Sequence, residues 1–359
     1  MSRLRRRATS KASKATEIAE AARAVKATEA AGAAEATDVA GADPQRIVLL
    51  GPQKGEPTLP SVLRSLKTDG VSEPGLPLLT ITAGWQEREG ESDRLGSGVG
   101  PTVDLGLYER AERVSRAVPD LAVAHRNVQE RLKLLRRAYN RRLAALMTAV
   151  QRLESMEGDP GVLDAERVDA LADIRRLDSR HLDRVAEFRA EYHATARPDE
   201  RKEVVRERAE IADLLARGDT VAIAGGHVAT LVNRLRWFWL ADLLASHTLV
   251  AWSAGAMVLG SRVVLFHDRP PWGPGHPEAF ENGIGMFGRV LPFPHASQRL
   301  ALDDSERTRR LARRFAPDVC TLFDPGTRVD RVAGEWRPAE GLLRLESDGR
   351  AAPFDSRAA

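Results

Sequence analysis

Ser253 lies in a stretch whose composition suits a reactive hydroxyl. The apolar run Leu249–Trp252 predicts a buried strand, and the small residues that follow Ser253 lead into a predicted helix. A nucleophile on such a strand-to-helix turn needs small neighbours because the bend is tight, and Ala251 and Gly255 flank Ser253 at the two relevant positions. The pattern also fits a serine that only packs in a turn rich in Ala and Gly, so this motif alone leaves both interpretations open.

Two further stretches carry the partners that a serine nucleophile needs. Gly225 and Gly226 end a predicted strand, where their backbone N–H groups can face a developing oxyanion. His295 follows a short apolar segment bounded by prolines, and Asp268 lies between Ser253 and His295 along the chain. Serine, carboxylate and histidine in this order match a nucleophile with its orienting acid and base on an α/β sheet. The three stretches together predict acyl transfer through Ser253.

The segments around these positions resemble the dipeptidase E and cyanophycinase family of serine peptidases. The resemblance rests on Ala-Trp-Ser-Ala-Gly-Ala (251–256), a downstream Asp-x-Pro, Gly-Ile-Gly-Met-Phe (283–287) and Pro-His (294–295). It covers residues 219–350 well and residues 46–103 weakly. It implies a class I glutamine-amidotransferase-like fold and a small peptide substrate, either an aspartyl dipeptide or an aspartate-rich peptide.

The resemblance also implies a role for each motif residue. Ser253 would be the nucleophile, His295 the general base and Asp268 the carboxylate that orients the imidazole. Gly226 and Ala254 would supply the two N–H groups of an oxyanion hole.

Other residues are predicted to contact the substrate. Trp85 and Gln86 follow a predicted strand at its carboxyl end, where open α/β sheets place ligand-facing loops; a packed tryptophan is the alternative for Trp85. Gly225 and His227 adjoin the predicted oxyanion hole, and His227 stands where the family usually has Asn or Asp.

Arg299 lies four residues after His295, at a place where the resemblance implies an arginine near the substrate carboxylate. A guanidinium grips a carboxylate through two parallel hydrogen bonds, which suits acidic peptides. An exposed ion pair with Asp303 or Asp304 is the alternative.

The pattern of predicted strands and helices around these residues indicates an α/β fold. We expect a three-layer sandwich with a mainly parallel sheet and a long α-helical hairpin inserted into it. The predicted organisation is a disordered tail over 1–45, the first part of the α/β domain over 46–103, the hairpin insertion over 104–218, the second part of the α/β domain over 219–350, and a loose C-terminus over 351–359.

The hairpin is predicted from apolar residues that recur every three or four positions on a long helix. They are Val128, Leu132, Leu135, Tyr139, Leu143, Leu146, Val150 and Leu153. A turn at 157–161 leads to a second such helix. Its predicted role is to bind a protein partner or to form a homodimer. A cluster of arginines at Arg136, Arg137, Arg141 and Arg142 is interpreted as a solvated face, with contact to an acidic partner as the alternative.

Composition narrows the classes of function. The 359 residues carry 54 basic and 51 acidic side chains, a balance too even to favour nucleic-acid binding. No apolar run approaches the roughly 20 residues of a membrane span. The only cysteine, Cys320, excludes an intrachain disulfide and fits a reducing cytoplasm. The histidines near Asp268 lack a compact ligand spacing, so neither a metal nor another cofactor is predicted.

A second class of function stays open at this stage. The chain can be a catalytically inactive scaffold that keeps a peptidase-like fold while its hairpin binds a partner. Ala251 in place of glycine, His227 and the large insertion favour this alternative. A glutaminase-like amidotransferase is disfavoured, because such enzymes use a cysteine at the strand-to-helix turn and Cys320 lies far from it.

Overall fold

The computed structural model describes residues 46–55, 57–95, 100–268, 275–337 and 341–357. The predicted tail over 1–45 lies outside the described residues. The strands are β1 (Ile47–Leu50), β2 (Leu78–Ile81), β3 (Thr102–Asp104), β4 (Thr220–Ile223), β5 (Thr248–Trp252), β6 (Arg262–Leu265), β7 (Glu278–Asn282), β8 (Val290–Pro294), β9 (Val319–Phe323), β10 (Arg328–Val332), β11 (Glu335–Trp336), β12 (Leu343–Leu345) and β13 (Ala351–Pro353).

The α-helices are α1 (Leu59–Thr68), α2 (Leu107–Ala117), α3 (Pro119–Glu154), α4 (Pro160–Ala196), α5 (Lys202–Leu215), α6 (Val228–Trp237), α7 (Leu240–Leu244), α8 (Ala254–Leu259), α9 (Ala296–Arg299) and α10 (Ser305–Phe315). Two 3-10 segments, Ala83–Leu95 and Pro198–Glu200, complete the helical elements of the described residues.

The main sheet has seven strands in the order β11-β10-β1-β5-β4-β2-β3. The five from β1 to β3 in this order are parallel, and β10 and β11 add an antiparallel edge. Both faces are buried: Ile47 and Leu49 join one apolar cluster, while Val48 and Leu50 join another with α1. The sequence of a strand that is buried on both faces is a nearly continuous run of apolar residues. The chain is therefore an α/β protein with a mixed sheet.

A second sheet, in the order β13-β12-β9-β8, and a two-stranded ribbon of β6 and β7 stand beside the main sheet. Strands β8 and β9 are parallel, with Pro294 opposite Phe323. His295 thus follows a strand of the second sheet, and Asp268 follows the ribbon strand β6. The C-terminal segment differs from its prediction as a loose end, because β13 pairs with β12 and Phe354 is buried.

The helical hairpin consists of α3 and α4, as the periodic pattern predicts, and Asp159 caps the start of α4 by accepting a hydrogen bond from the Val162 N–H. Most of its buried apolar side chains, among them Tyr139, Leu143 and Ile174, belong to the same cluster as one face of the main sheet. Those side chains are therefore covered by the chain's own domain. Partner binding or dimerisation through the hairpin stays a prediction.

A buried polar junction fastens the hairpin to the domain. Arg314 donates from Nε and Nη2 to the two carboxylate oxygens of Asp178, each at 2.7 Å, and the Tyr139 hydroxyl donates to Asp178 at 2.9 Å. Arg314 and Asp178 are each only 3% exposed. A buried ion pair of this kind stabilises only while both partners are present.

We expect Arg314→Met to lower the free energy of unfolding by about 3–5 kcal/mol, because it leaves the Asp178 carboxylate buried without its cation. Urea denaturation at neutral pH measures the loss. Arg313→Met is the matched control and should cost about 1 kcal/mol, since the exposed Arg313 side chain donates, among the described residues, only to the Ser347 carbonyl. Equal losses in the two variants would contradict the assigned role of the junction.

Candidate active site

Ser253 lies on a strained turn between β5 and α8. Its backbone has φ 51° and ψ −123°, a conformation that costs a non-glycine residue about 1–3 kcal/mol. The turn also needs glycine nearby: a Cβ at Gly255 would lie 2.2 Å from the Ile223 carbonyl oxygen. This is the backbone that the sequence predicts for a nucleophile on a strand-to-helix turn.

A cleft of about 1460 Å³ opens above the carboxyl ends of β1, β2, β4 and β5. This is the edge where open α/β sheets bind ligands. All but one of the predicted site residues line it: Trp85, Gln86, Gly225, Gly226, His227, Ser253, Ala254, His295 and Arg299. The exception is Asp268.

The predicted oxyanion amides are open to this cleft. Within the described part of the chain, no protein acceptor takes the N–H of Gly226 or Ala254. Gly226 follows the end of β4 with φ 129°, and Ala254 is the first residue of α8, where a helix leaves its N–H groups unpaired. Both amides are thus available to a negatively charged oxygen near Ser253.

A close backbone contact places Trp85 and Gln86 at the cleft. The His227 N–H donates to the Gly84 carbonyl oxygen at 2.7 Å, and a Cβ on Gly226 would lie 2.4 Å from the same oxygen. Gln86 shares the backbone strain of Ser253, with φ 59° and ψ −123°. Trp85 is half-buried against the cluster beneath α1, so it both packs and lines the cleft.

His227 has a structural task as well as a place in the cleft. Its Nδ1 accepts a hydrogen bond from the Thr230 backbone N–H at 3.2 Å and so caps the start of α6. Because Nδ1 is the acceptor, the neutral ring carries its proton on Nε2 and can donate from there.

His295 begins the turn from β8 into α9. Its backbone N–H donates to the Phe323 carbonyl oxygen at 2.8 Å. Burial is the main cause that lowers the pKa of the imidazole below its usual value, and the positive charge of Arg299 lowers it further, while the negative charge of Asp324 raises it. A neutral imidazole suits a general base. Ser253 and His295 both line the cleft, and among the described residues no hydrogen bond joins the His295 ring to Ser253.

Asp324 is a carboxylate that the sequence analysis missed. It follows β9 directly, just as His295 follows β8, and the pairing of Pro294 with Phe323 brings the two residues to the same edge. The backbone N–H and the hydroxyl of Ser297 both donate to the Asp324 carboxylate, the hydroxyl at 2.9 Å. The signal that identifies it is its position after the apolar run Val319–Phe323, at the carboxyl end of a strand.

Asp268 has other partners than the predicted ones. Its carboxylate, 4% exposed, pairs with Arg307 and accepts a hydrogen bond from the Ala301 N–H at 3.3 Å. It lines a separate small cavity between α3 and α10, and its charge acts on His267 and His276. Asp324, by contrast, is the acidic group whose charge acts on His295. The predicted contact between Asp268 and His295 is therefore absent from the described structure.

The walls of the cleft are mainly basic. Among the described residues, Lys54, Arg88, Arg136 and Arg299 line it, and Glu278 is the one carboxylate that does so. Within the described residues Arg299 forms no ion pair, neither with Asp303 nor with Asp304, and burial lowers the pKa of its guanidinium. A half-buried guanidinium without an acidic partner is suited to bind a carboxylate from a ligand.

If Ser253 is a nucleophile, Gly225→Ala should lower kcat about 100-fold or more, because the added Cβ would lie 2.7 Å from the Ser253 Cβ and displace its hydroxyl. Steady-state kinetics on a cleaved peptide, with circular dichroism to verify folding, measures the effect. Gly90→Ala is the control, since a Cβ at Gly90 has no atom within 4 Å. Undiminished kcat in Gly225→Ala would contradict the geometry of the turn.

Metal and membrane features are absent from the described residues. They hold no cluster of His, Cys, Asp and Glu able to ligate a metal ion. No helix within the described ranges is both long and apolar enough to cross a membrane.

Comparison with known proteins gives likenesses among solved structures. No protein-family model and no curated protein sequence matches the chain. The solved structure of a peptidase from an acI-B1 Actinobacterium is similar over 86% of this chain and 97% of that chain, with 14% sequence identity and a TM-score of 0.41. A TM-score at this level establishes neither a shared fold nor a shared activity.

Proposed function

We propose that the chain is a serine peptidase that cleaves small acidic peptides through an acyl-enzyme. The observation that carries the proposal is the strained turn at Ser253, which opens into the cleft that His295 also lines. Backbone strain at a serine beside two open amides suits a nucleophile and serves no evident packing purpose.

The proposed reaction begins when the neutral His295 imidazole takes the proton from the Ser253 hydroxyl. The Ser253 oxygen attacks the peptide carbonyl, and the N–H groups of Gly226 and Ala254 stabilise the oxyanion. His295 then gives its proton to the leaving amine, and the acyl-enzyme forms. His295 takes a proton from a water molecule, whose oxygen attacks the acyl carbonyl. The bond between the acyl carbon and the Ser253 oxygen then breaks, His295 returns the proton to that oxygen, and the acid product leaves.

Asp324 is the carboxylate that we propose to orient the His295 imidazole and to stabilise its charged form. The support is its place beside His295 at the ends of paired strands and its electrostatic effect on the ring. Asp268 remains the prediction from the sequence, and the pair of acids can be separated by experiment.

The preference for acidic peptides is supported by the basic lining of the cleft. Arg299 is the proposed first carboxylate-binding group, because it follows His295 by one helical turn and has no acidic partner among the described residues. Aspartyl dipeptides and longer aspartate-containing peptides are therefore the substrates to test.

Active-site labelling with a fluorophosphonate tests the proposal. Labelling of the wild-type chain that is lost in Ser253→Ala and strongly reduced in His295→Gln would support a serine hydrolase. Ser261→Ala, in an exposed turn, is the matched control and should label like the wild type. A folded chain that resists labelling and cleaves no aspartyl peptide would overturn the proposal in favour of the inactive scaffold.

The pH profile gives an independent prediction. Because the pKa of His295 is lowered and the base must be neutral, kcat/KM should rise with pH through a midpoint below 6.5. Arg299→Met removes a positive charge that lowers this pKa, so the midpoint should move to higher pH. Arg88→Met is the control, because Arg88 lines the cleft without acting on His295. A midpoint above 6.5, or one that Arg299→Met leaves unchanged, would contradict this assignment.

A further inference from the structure

The helical hairpin reaches the candidate active site at one described residue, Arg136. This side chain projects from α3 into the wall of the cleft. The cleft of about 1460 Å³ exceeds the roughly 300–1,000 Å³ of common small-ligand pockets. It therefore has room for more than the two residues of a dipeptide.

The partners of Arg136 hold its guanidinium in place and leave some of its N–H donors available. It pairs with Glu278 Oε1 through Nη2, and its guanidinium carbon lies 5.0 Å from the centre of the Phe280 ring. The other carboxylate oxygen of Glu278 accepts from Asn140 Nδ2 at 2.6 Å. Since a guanidinium has five N–H donors and the Arg136 side chain is 42% exposed, donors remain for a ligand.

The charge of Glu278 does not cancel this capacity. Its side chain is only 9% exposed, and both of its oxygens are engaged by residues of α3. The carboxylate thus holds the Arg136 guanidinium in place, as a supporting group does for a binding residue in preorganised sites.

The strand β7, which carries the Arg136 partner Glu278, is itself held in place by contacts with helices. The Ala279 N–H donates to the Tyr139 hydroxyl at 3.0 Å, and Arg314 donates to the Pro277 carbonyl oxygen at 2.6 Å. Arg189 of α4 pairs with Glu281 at 2.7 Å. The contacts of Tyr139 and Arg189 join the hairpin to β7, and the contact of Arg314 joins α10 to the residue before β7. The position of Arg136 in the cleft is therefore set by packing.

We infer that Arg136 forms a second carboxylate-binding subsite, so that the cleft selects peptides with an acidic residue beyond the one bound by Arg299. The inference rests on the proposed function, in which this cleft binds peptides. Arg136 is a specificity-determining residue in this arrangement, and the hairpin is the element that brings it to the site.

Peptide binding in a Ser253→Ala background tests the subsite separately from catalysis. The probes are synthetic hexapeptides with two aspartates at each spacing, and matched peptides in which the second aspartate is asparagine. Isothermal titration calorimetry gives the Kd of each. We expect one spacing to bind about tenfold more tightly than its asparagine match, as a charge-assisted hydrogen bond allows.

Three further substitutions in that background locate the preference. The preference is measured as the Kd of the asparagine peptide divided by the Kd of the matched aspartate peptide. Arg136→Ala should reduce this ratio to about one. Arg136→Lys keeps the charge and the pairing with Glu278 but loses the planar guanidinium, and should leave a ratio of about three. Arg137→Ala, the control on the exposed side of α3, should keep the full ratio. Arg136→Lys keeps the test decisive if Arg136→Ala unfolds because Glu278 loses its partner.

The outcomes separate the two proposals. The subsite would be overturned if the two peptides bound equally well to the Ser253→Ala variant. It would also be overturned if the Arg136 variants kept the full preference for the aspartate peptide. Binding that depends on Arg136 while the unsubstituted chain hydrolyses none of the peptides would support the subsite and overturn the peptidase.

Discussion

Ser253→Ala should lower kcat for an aspartyl peptide by a factor of about 10⁴–10⁶, the range seen when a serine hydrolase loses its nucleophile. The residual rate would come from the open amides of Gly226 and Ala254 and from substrate binding. Peptide binding should persist, because Arg299 and the other cleft residues are unchanged. A discontinuous assay with product separation measures so large a loss.

Two comparisons make the result specific. Ser261→Ala should keep wild-type kcat. The double variant Ser253→Ala/His295→Gln should be about as slow as Ser253→Ala alone, because a nucleophile and its base act as one unit. If Ser253→Ala retained more than about one hundredth of the wild-type kcat, the hydroxyl would not be the nucleophile and the cleft would need another assignment.

The fold was predictable where the signal is local. The runs at 47–50 and 221–224 identify parallel strands because both faces of such a sheet are buried. The apolar spacing identifies α3, and the turn with Asp159 and Pro160 identifies the start of α4. Strand order was not predictable, since it depends on pairings between distant segments, such as β1 with both β5 and β10.

Packing of the hairpin also escaped the sequence analysis. The apolar spacing predicts that polar residues are exposed and apolar residues are buried. On α4, however, Asp178 and His181 are buried, and Val168 is 67% exposed. The buried pairing of Asp178 with Arg314 joins residues far apart in the chain. Nothing in the sequence around Asp178 or around Arg314 indicates that the two residues pair. The hairpin could therefore be predicted as an element, but its position on the domain could not.

The candidate site divides in the same way. Ser253, Gly225 and Gly226 are recognisable because a tight turn imposes local demands on residue size. Asp324 and Arg136 could not be recognised from the local sequence. Asp324 lies near His295 because β8 pairs with β9, and Arg136 lines the cleft because α3 packs against the domain. The sequence favours Asp268 because it lies between Ser253 and His295 along the chain, whereas Asp324 follows both.

Exchanging each acid for its amide decides which carboxylate serves His295. Asp324→Asn should lower kcat by about 10⁴, the loss found when the orienting aspartate of a serine triad becomes asparagine. The amide has nearly the same shape as the acid, so the change tests charge and hydrogen bonding and leaves packing intact. Asp268→Asn should mainly weaken the pairing with Arg307, which would appear as lower stability with kcat changed by less than about tenfold.

The pH profile distinguishes orientation from simple structural support. Because the Asp324 charge raises the pKa of His295, its loss should move the acid limb of kcat/KM to still lower pH, whereas Asp268→Asn should leave the limb in place. A large loss of kcat in Asp268→Asn with Asp324→Asn near wild type would reverse the assignment. Such a result would mean that the imidazole turns toward Asp268 when substrate binds, and that Asp324 only anchors Ser297 at the start of α9.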